Sequence, residues 1–303
     1  MYPIKLILTF IIAIFSLTTL NTAIAEKHHS QAASFKATKI TDQIYMLQGK
    51  GGNLGLLKGK QGLVLIDADY KQMSPALIKQ LSRYGGTEKL NYLINTHWHG
   101  DHTEGNDALG RHAQIIAHDN VRARLLTTQE IKLFKLVSKP YPVHALPSIT
   151  YKKSMSLYLN NEELELIHFS KSHTDGDTVV FFKKSNVVHT GDLFFSGFYP
   201  FVDVDHGGNV LNLAKNIKML LGMVDDKTRI IPGHGPLSDK SALQDFHDML
   251  VGTTVEVQSM IDKGMGLDKI KQTGLSNKWK SWTKGFLSTE VWIGIIYSSL
   301  TKG

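Results

Sequence analysis

Short apolar runs alternate with glycine-containing turns along the chain after position 40. Residues 44–47, 54–57 and 63–66 each have the length of a strand, and the turns between them are rich in glycine. These three runs predict consecutive antiparallel strands. Further strands are predicted at residues 93–94, 155–159, 164–169, 179–182, 187–188 and 229–231. The turn-forming residues between the runs at 179–182 and 187–188 predict a hairpin there.

Three segments have apolar residues at helical spacing instead. The first begins at Ser74 and Pro75, which predict an N-cap and the first helical position, and the third covers residues 243–261. The residues expected on buried helical faces are Leu77, Ile78 and Leu81 in the first helix and Leu211, Ala214, Ile217 and Leu221 in the second. Because strands and helices mix in both halves, we predict one α/β domain over residues 26–303, C-terminal helices included.

The first 25 residues differ from the rest of the chain. Lys5 precedes an apolar stretch at residues 6–20, and the segment ends with Ala23, Ile24 and Ala25. This arrangement is typical of a secretory signal peptide. An uncleaved membrane anchor is the alternative, but an apolar core of roughly 15 residues is short for crossing a bilayer. We therefore predict a signal peptide at residues 1–25, a periplasmic or secreted protein, and no stable membrane anchor after cleavage.

Composition narrows the classes of function. The 303 residues include no cysteine, which excludes disulfide bonds and thiolate metal sites. The formal net charge of +7 is scattered along the chain rather than collected in one run, so no nucleic-acid surface is expected. The expected partner is a small-molecule substrate.

The strongest chemical signal follows the strand predicted at residues 93–94. His97, His99, Asp101 and His102 place four potential metal ligands within six positions. Alternate residues of an extended segment point the same way, so His97 and His99 can converge on one ion while Asp101 and His102 reach a second. Imidazole and carboxylate without thiolate suit zinc, and the same donors accept iron or manganese. The segment therefore predicts a site for two metal ions.

Two ions need more ligands than this segment supplies. His173, Asp192 and His234 each lie where a predicted strand meets a glycine-bearing loop. From that position, side chains line the crevice of a layered α/β fold. Taken singly, each of the three is equally well explained as an ordinary polar turn residue. Together with the histidine-rich segment they form a set of potential ligands.

The chain resembles the metallo-β-lactamase superfamily in the order of its potential ligands, which are His97, His99, Asp101, His102, His173, Asp192 and His234. The resemblance implies an αβ/βα sandwich with the metal site at one edge between two sheets. It further implies that the first ion is held by His97, His99 and His173, the second by Asp101, His102 and His234, and that Asp192 bridges both. Asp67 is implied to brace the histidine-rich segment.

The activity implied by this resemblance is hydrolysis. A water shared by two zinc ions loses its proton near neutral pH, and the bridging hydroxide would attack an ester, thioester, lactone or amide bond, with a β-lactam among the candidates. Asp101 is predicted to be catalytic as well as a ligand, because it can orient that hydroxide. The lack of cysteine excludes the lactamases with a cysteine ligand. A bridging aspartate at the position of Asp192 instead resembles the site of thioesterase-type members of the superfamily, such as hydroxyacylglutathione hydrolase.

Two other functions stay open at this point. An iron-dependent oxidoreductase of the persulfide dioxygenase type would use a similar site, and a non-catalytic accessory protein would bind metal without turnover. His206 is a candidate for substrate binding, and the aromatic residues at 194–199 could form either a pocket wall or part of the core. Substrate specificity is expected to reside in the loops at 127–147 and 194–208.

Overall fold

The structure is a computed structural model that describes residues 33–302. The predicted signal peptide lies outside the described residues, as do the first seven positions and the last position of the predicted domain. Among residues 33–302, none of the helices is long and apolar enough to cross a membrane.

Strands and α-helices are interspersed throughout the described part of the chain, with short 3-10 turns between them. The strands are β1 (Lys36–Lys39), β2 (Ile44–Gln48), β3 (Leu54–Gly59), β4 (Gly62–Ile66), β5 (Leu90–Ile94), β6 (Gln114–His118), β7 (Gln129–Ile131), β8 (Leu136–Ser138), β9 (Ile149–Tyr151), β10 (Ser154–Leu159), β11 (Glu162–His168), β12 (Thr178–Phe182), β13 (Val187–His189) and β14 (Arg229–Ile231). The helices are α1 (Ser74–Leu81), α2 (Gly100–Thr103), α3 (Asn106–Leu109), α4 (Asp119–Leu125), α5 (Val210–Leu221), α6 (Lys240–Asp262), α7 (Leu267–Thr273) and α8 (Thr289–Thr301).

The strands build two sheets and a separate hairpin. The seven-stranded sheet has the order β1-β2-β3-β4-β5-β6-β9 and is antiparallel up to β4 and parallel beyond it. The five-stranded sheet has the order β10-β11-β12-β13-β14 and is antiparallel except for its last pair. Strands β7 and β8 form the hairpin. The three runs predicted as antiparallel strands are β2, β3 and β4.

Alternation of side chains along β4 explains how the layers stack. Val64 and Ile66 point into a core between the two sheets, where they meet side chains of β11 and β12. Leu63 and Leu65 point the other way and pack with the apolar face of α1. On the outer face of the five-stranded sheet, β12 and β13 pack against α5, α6 and α8. The result is an αβ/βα sandwich, which confirms the predicted fold class.

Three helix details differ from the sequence prediction. Ser74 is the first residue of α1 rather than its N-cap, because a 3-10 turn (Lys71–Met73) runs directly into the helix. Ile78 and Leu211, both predicted on buried faces, are 39% and 48% exposed. The buried stripe of α1 runs through positions 77, 80 and 81, which turns Ile78 outward. Helix α5 likewise buries Leu213 in place of Leu211.

The loops that leave the inner strands meet at one edge of the sandwich. The Thr178 N–H at the start of β12 donates to the Thr96 carbonyl after β5, at 2.8 Å. The Asn53 N–H before β3 donates to the Gly233 carbonyl after β14, at 2.7 Å. Because each bond joins a loop of one sheet to a segment of the other, the two sheets are tied together at this edge.

Candidate metal centre

Seven potential ligand side chains converge at this edge. Four come from the segment between β5 and the end of α2, one precedes β12, and the others follow β13 and β14. They are His97, His99, Asp101, His102, His173, Asp192 and His234. The structure therefore brings together every residue that the sequence predicted as a ligand.

The seven side chains form two groups that share one member. In each group, a ligand atom from every member lies within 4.8 Å of the others. The first group consists of His97, His99, His173 and Asp192, and the second group consists of Asp101, His102, Asp192 and His234. This division has the same membership as the one that the family resemblance implied, with Asp192 in common.

The carboxylate of Asp192 contacts both groups. Its Oδ1 lies 3.0 Å from His102 Nε2 in the second group, and its Oδ2 lies 3.4 Å from His173 Nε2 in the first. The other carboxylate of the second group, Asp101, has its Oδ2 3.1 Å from His234 Nε2. Nitrogen and oxygen atoms of both groups therefore face the same small region.

A hydrogen-bond network around Asp67 orients two of the imidazoles. Asp67 Oδ2 accepts hydrogen bonds from His102 Nδ1 at 2.7 Å and from the Thr96 hydroxyl at 2.8 Å. The Thr96 hydroxyl oxygen in turn lies 3.1 Å from His97 Nδ1 and can accept its proton. Because their Nδ1 atoms are engaged from outside, His102 and His97 turn Nε2 toward the site. Asp67 thus braces the histidine-rich segment.

A second network orients the other two imidazoles of the first group. His99 Nε2 donates to Asp203 Oδ2 at 2.9 Å, so His99 presents Nδ1 to the site. His173 Nδ1 donates to the Phe201 carbonyl at 2.7 Å, so His173 presents Nε2. Behind Asp203, His206 Nδ1 lies 2.8 Å from both carboxylate oxygens. One short segment after Asp192 therefore sets the direction of two predicted ligands.

Several buried polar atoms of the site lack a partner among the described residues. His97 Nε2 is buried and makes no hydrogen bond there, and the 3.0 Å contact between His102 Nε2 and Asp192 Oδ1 does not have the geometry of a hydrogen bond. His173 Nε2 and His99 Nδ1 lie 2.8 Å apart although both present lone pairs, an arrangement that is repulsive without positive charge nearby. Unpaired buried polar atoms are costly. Metal cations would satisfy all of these atoms, so the residues present fit a metal site.

Electrostatics distinguishes the two groups. Burial lowers the pKa of His97 well below its usual range and lowers the pKa of His173 to about 4, so both imidazoles are neutral at pH 7. Burial also acts to lower the pKa of His102 and His234. Nearby carboxylates, of which Asp192 contributes most, have a larger effect in the opposite direction. They raise the pKa of His102 well above its usual range and that of His234 to about 9. In the metal-free protein, the second group therefore holds protons at neutral pH that His97 and His173 of the first group do not.

Two glycines let the backbone approach the ligands closely. A Cβ atom at Gly52 would collide with the imidazole of His102, and a Cβ atom at Gly233 would collide with the carboxylate of Asp192. Both ligand side chains therefore rest against bare backbone, which restricts where their atoms can lie.

A cavity of about 500 Å³ opens over the ligands, with Asp101, Asp192 and His234 in its lining. One side of the cavity is polar and includes Lys50 and Glu104. The other side is apolar and is formed by the β7–β8 hairpin together with aromatic side chains. A concave site of this volume is of the size that binds small molecules.

The residues predicted to contact substrate have divided roles. Phe195 lines the cavity, whereas Phe194 and Tyr199 are buried in the core against α6 and α8. His206 differs from its predicted role, because it lies behind Trp98, with ring centroids 4.9 Å apart, and is absent from the cavity wall of the described structure. The Asp203 carboxylate holds its imidazole inward. The structure therefore places His206 as a support for Asp203.

Asp203 and Lys50 are functional candidates that sequence reasoning missed. Nothing in the sequence distinguishes Asp203 from the exposed Asp205, because only folding shows which carboxylate reaches His99. Lys50 lies in a glycine-rich turn, and the sequence does not distinguish it from an ordinary solvent-exposed turn residue. The β7–β8 hairpin was also missed, since each of its strands has three residues and no glycine marks its turn.

Comparisons with known proteins agree with this geometry. The family model described as the metallo-beta-lactamase superfamily matches residues 47–254. The chain is 26% identical over 200 residues to a probable metallo-hydrolase of Methanocaldococcus jannaschii, a match covering 64% of this chain and 92% of that protein. It is 25% identical over 201 residues to a metallo-beta-lactamase type 2 of Bacillus sp. strain 170, covering 64% and 71% of the two chains.

Solved structures show the same fold. A metallo-beta-lactamase from Pontibacter korlensis superposes with a TM-score of 0.58 at 18% identity, covering 72% of this chain and 99% of that one. An inverting sec-alkylsulfatase from Pseudomonas sp. superposes with a TM-score of 0.65 at 16% identity, covering 89% of this chain. The match spans 50% of the sulfatase chain. At these identities the similarity concerns the fold.

Proposed function

Since this chain belongs to the metallo-beta-lactamase superfamily, we propose that it is a zinc-dependent hydrolase that uses two metal ions to cleave an ester, thioester, lactone or amide bond, β-lactams included. The observation that carries the proposal is the pair of ligand groups joined by Asp192, with buried nitrogen and oxygen atoms left unpaired in each. A small-molecule substrate fits the cavity beside them. A periplasmic or secreted location is proposed from residues 1–25 alone.

Each ligand group would hold one cation. His97, His99 and His173 would bind the first, Asp101, His102 and His234 the second, and Asp192 both. When bound, two divalent cations supply Lewis acidity that lowers the pKa of water and polarises the bond to be cleaved. Imidazole and carboxylate ligands are common for zinc in hydrolases, which supports zinc as the metal.

Asp101 is the carboxylate best placed to orient a water for attack. Its side chain is 20% exposed and lines the cavity, whereas the side chain of Asp192 is 4% exposed. Burial acts to raise the pKa of Asp101, but the His102 and His234 imidazoles outweigh it and lower the pKa to about 2. Asp101 is therefore ionised at neutral pH and accepts hydrogen bonds from a water or substrate in the cavity.

Residues around the two ligand groups hold the imidazole side chains in fixed orientations. Asp67, Asp203 and the Phe201 carbonyl fix the imidazoles from outside, so little reorganisation is needed when substrate binds. Phe195 stacks on His234 with ring centroids 5.0 Å apart and excludes water from that side of the site. Such preorganisation favours a hydrolytic role over simple metal storage.

The test is a hydrolysis panel with the zinc-loaded protein. A chromogenic cephalosporin, a 4-nitrophenyl ester, a thioester and a lactone would be assayed with the wild-type chain and with Asp101→Ala. We expect turnover of at least one class, reduced about 10²-fold to 10³-fold or more in the variant, because it lacks both a ligand of the second cation and the carboxylate that orients water. Asp226→Ala is the matched control, because the Asp226 side chain is 97% exposed on the surface.

Two outcomes would contradict the proposal. Zinc bound in the protein with no turnover of any of the four classes would favour a metal-binding accessory protein. Turnover that requires iron and consumes dioxygen would favour an oxidoreductase of the persulfide dioxygenase type instead.

A further inference from the structure

The apolar side of the cavity is unusually open to solvent. Leu136, Val137 and Phe286 all line the cavity, and they are 54%, 63% and 57% exposed. Large apolar side chains that share one exposed surface mark a binding site more often than ordinary protein surface. This wall therefore requires an explanation beyond the metal centre itself.

An aromatic row connects the wall to the second ligand group. Phe134 and Phe286 have ring centroids 6.0 Å apart, and Phe286 lies 6.3 Å from Phe195. Phe195 in turn stacks on His234. One face of the cavity is thus a continuous apolar surface from the hairpin to a predicted metal ligand.

The β7–β8 hairpin is anchored from its inner side. Phe134 packs on Phe201 with ring centroids 4.9 Å apart, and both Phe134 and Ile131 contact the core beneath α8. At the base of the hairpin, Gln129 Nε2 donates to the Thr127 hydroxyl at 2.6 Å. Leu136 and Val137, in the second strand of the hairpin, both border the cavity and are exposed, so a ligand can cover part of this strand.

We propose that the substrate is an amphiphile with an alkyl or aryl arm that lies along this wall. Its scissile group would lie over Asp101 and His234, and the arm would run past Phe286 to Leu136. The polar side of the cavity, with Lys50, would face the more polar end of the molecule. The position of the scissile group rests on the proposed function, whereas the apolar arm rests on the cavity wall alone.

The experiment separates these two parts. Hydrolysis of 4-nitrophenyl esters from acetate to dodecanoate would be measured beside calorimetric binding of the corresponding carboxylates, using the zinc-loaded protein. Leu136→Ser and Phe286→Ala are the variants. Leu133→Ser is the matched control, because Leu133 belongs to the same hairpin and is 45% exposed, yet lines a different cavity of about 240 Å³.

The expected result is a dependence on chain length. Both kcat/KM and carboxylate affinity should rise about twofold to fourfold with each methylene, since full burial of one methylene corresponds to about fourfold. Leu136→Ser and Phe286→Ala should flatten this slope, while Leu133→Ser retains it. Zinc content should stay near wild type in all three variants, and hydrolysis of the acetate ester should stay near wild type in Leu133→Ser.

Affinity and kcat/KM that do not change with chain length would overturn the inference, as would equal slopes in Leu136→Ser and Leu133→Ser. If no ester is hydrolysed but carboxylate binding strengthens with length in a way that Phe286→Ala removes, the apolar arm is supported and the proposed ester hydrolysis is contradicted.

Discussion

The two ligand groups are neighbours that share a carboxylate, yet they are built differently. Members of both groups line the cavity, but all four members of the first group are buried, whereas the side chains of Asp101 and His234 in the second group are 20% exposed. Every imidazole of the first group has its outer nitrogen within hydrogen-bonding distance of a protein oxygen. In the second group, only His102 has such a partner among residues 33–302.

This difference indicates a division of labour. A group whose imidazoles are fixed from outside is preorganised to bind a cation and hold it. A group with side chains partly exposed to the cavity leaves room for substrate and can exchange its ligands more freely. In the proposed hydrolase, the first group would therefore bind the tighter ion and the second group would meet the substrate.

Removing the shared carboxylate should have the largest effect. Asp192→Ala takes a ligand from both groups and leaves the three imidazoles of the first group facing one another with no carboxylate among them. We expect loss of both metal ions and a fall in turnover of about 10³-fold or more. Metal analysis and initial rates would check this, with Asp226→Ala as control. A variant that keeps two ions would show that Asp192 does not join the groups.

Asp203→Ala should weaken the first group selectively. The substitution removes the acceptor that orients His99, and loss of such an outer partner lowers metal affinity about 10 to 100-fold. A competitive zinc titration with a chelator would resolve the two binding steps. Asp205→Ala is the matched control, since the Asp205 side chain is 50% exposed two positions away. Equal weakening of both steps would contradict the assignment of Asp203 to the first group.

The pH dependence of metal binding should also separate the groups. In the metal-free protein, the raised pKa values of His102 and His234 keep both imidazoles protonated at pH 7, so a cation entering the second group must release protons. Affinity for that cation should therefore rise with pH, by up to about tenfold per unit for each proton released. The first group should show little change between pH 6 and 8, because its His97 and His173 are already neutral.

Zinc titrations at pH 6, 7 and 8, with calorimetry in two buffers of different ionisation enthalpy, would count the protons released at each step. Equal pH slopes for the two steps would show that the two groups do not differ in the protonation of their imidazoles.

The smallest expected effect belongs to His206→Gln. His206 contacts Asp203 rather than the cavity, so the substitution should reduce zinc affinity of the first group by about twofold to fivefold. The KM for substrate should not change. Measuring KM and zinc affinity side by side distinguishes the roles, since a raised KM with unchanged zinc affinity would place His206 at the substrate after all.

The convergence of the histidine-rich segment was predictable because its signals are local. His97, His99, Asp101 and His102 follow one another at the end of a strand, and the spacing itself brings them to one site. Residues such as Asp192 were not distinguishable from polar turn residues one at a time, and it was their order along the chain together with the histidine-rich segment that predicted them. Strand β4 was also predictable from a local signal, because it is a short apolar run between turns.

The supports of the site were not predictable because they depend on packing. The hydrogen bond between His99 and Asp203 spans 104 positions of the chain, and no sequence pattern near Asp203 predicts it. The apolar wall of the cavity is assembled from a hairpin and from Phe286, which lie far apart in sequence. Only the packing of α8 and its neighbouring segments against the five-stranded sheet brings these parts together.

The central claim is that two ligand groups each bind one ion, with Asp101 a required ligand of the second group. Zinc per chain, measured by inductively coupled plasma mass spectrometry on zinc-loaded and dialysed protein, tests it most directly when wild type and Asp101→Ala are compared. The account predicts two zinc ions in the wild-type protein and one in Asp101→Ala. A single ion in the wild type, or two ions in both proteins, would contradict it.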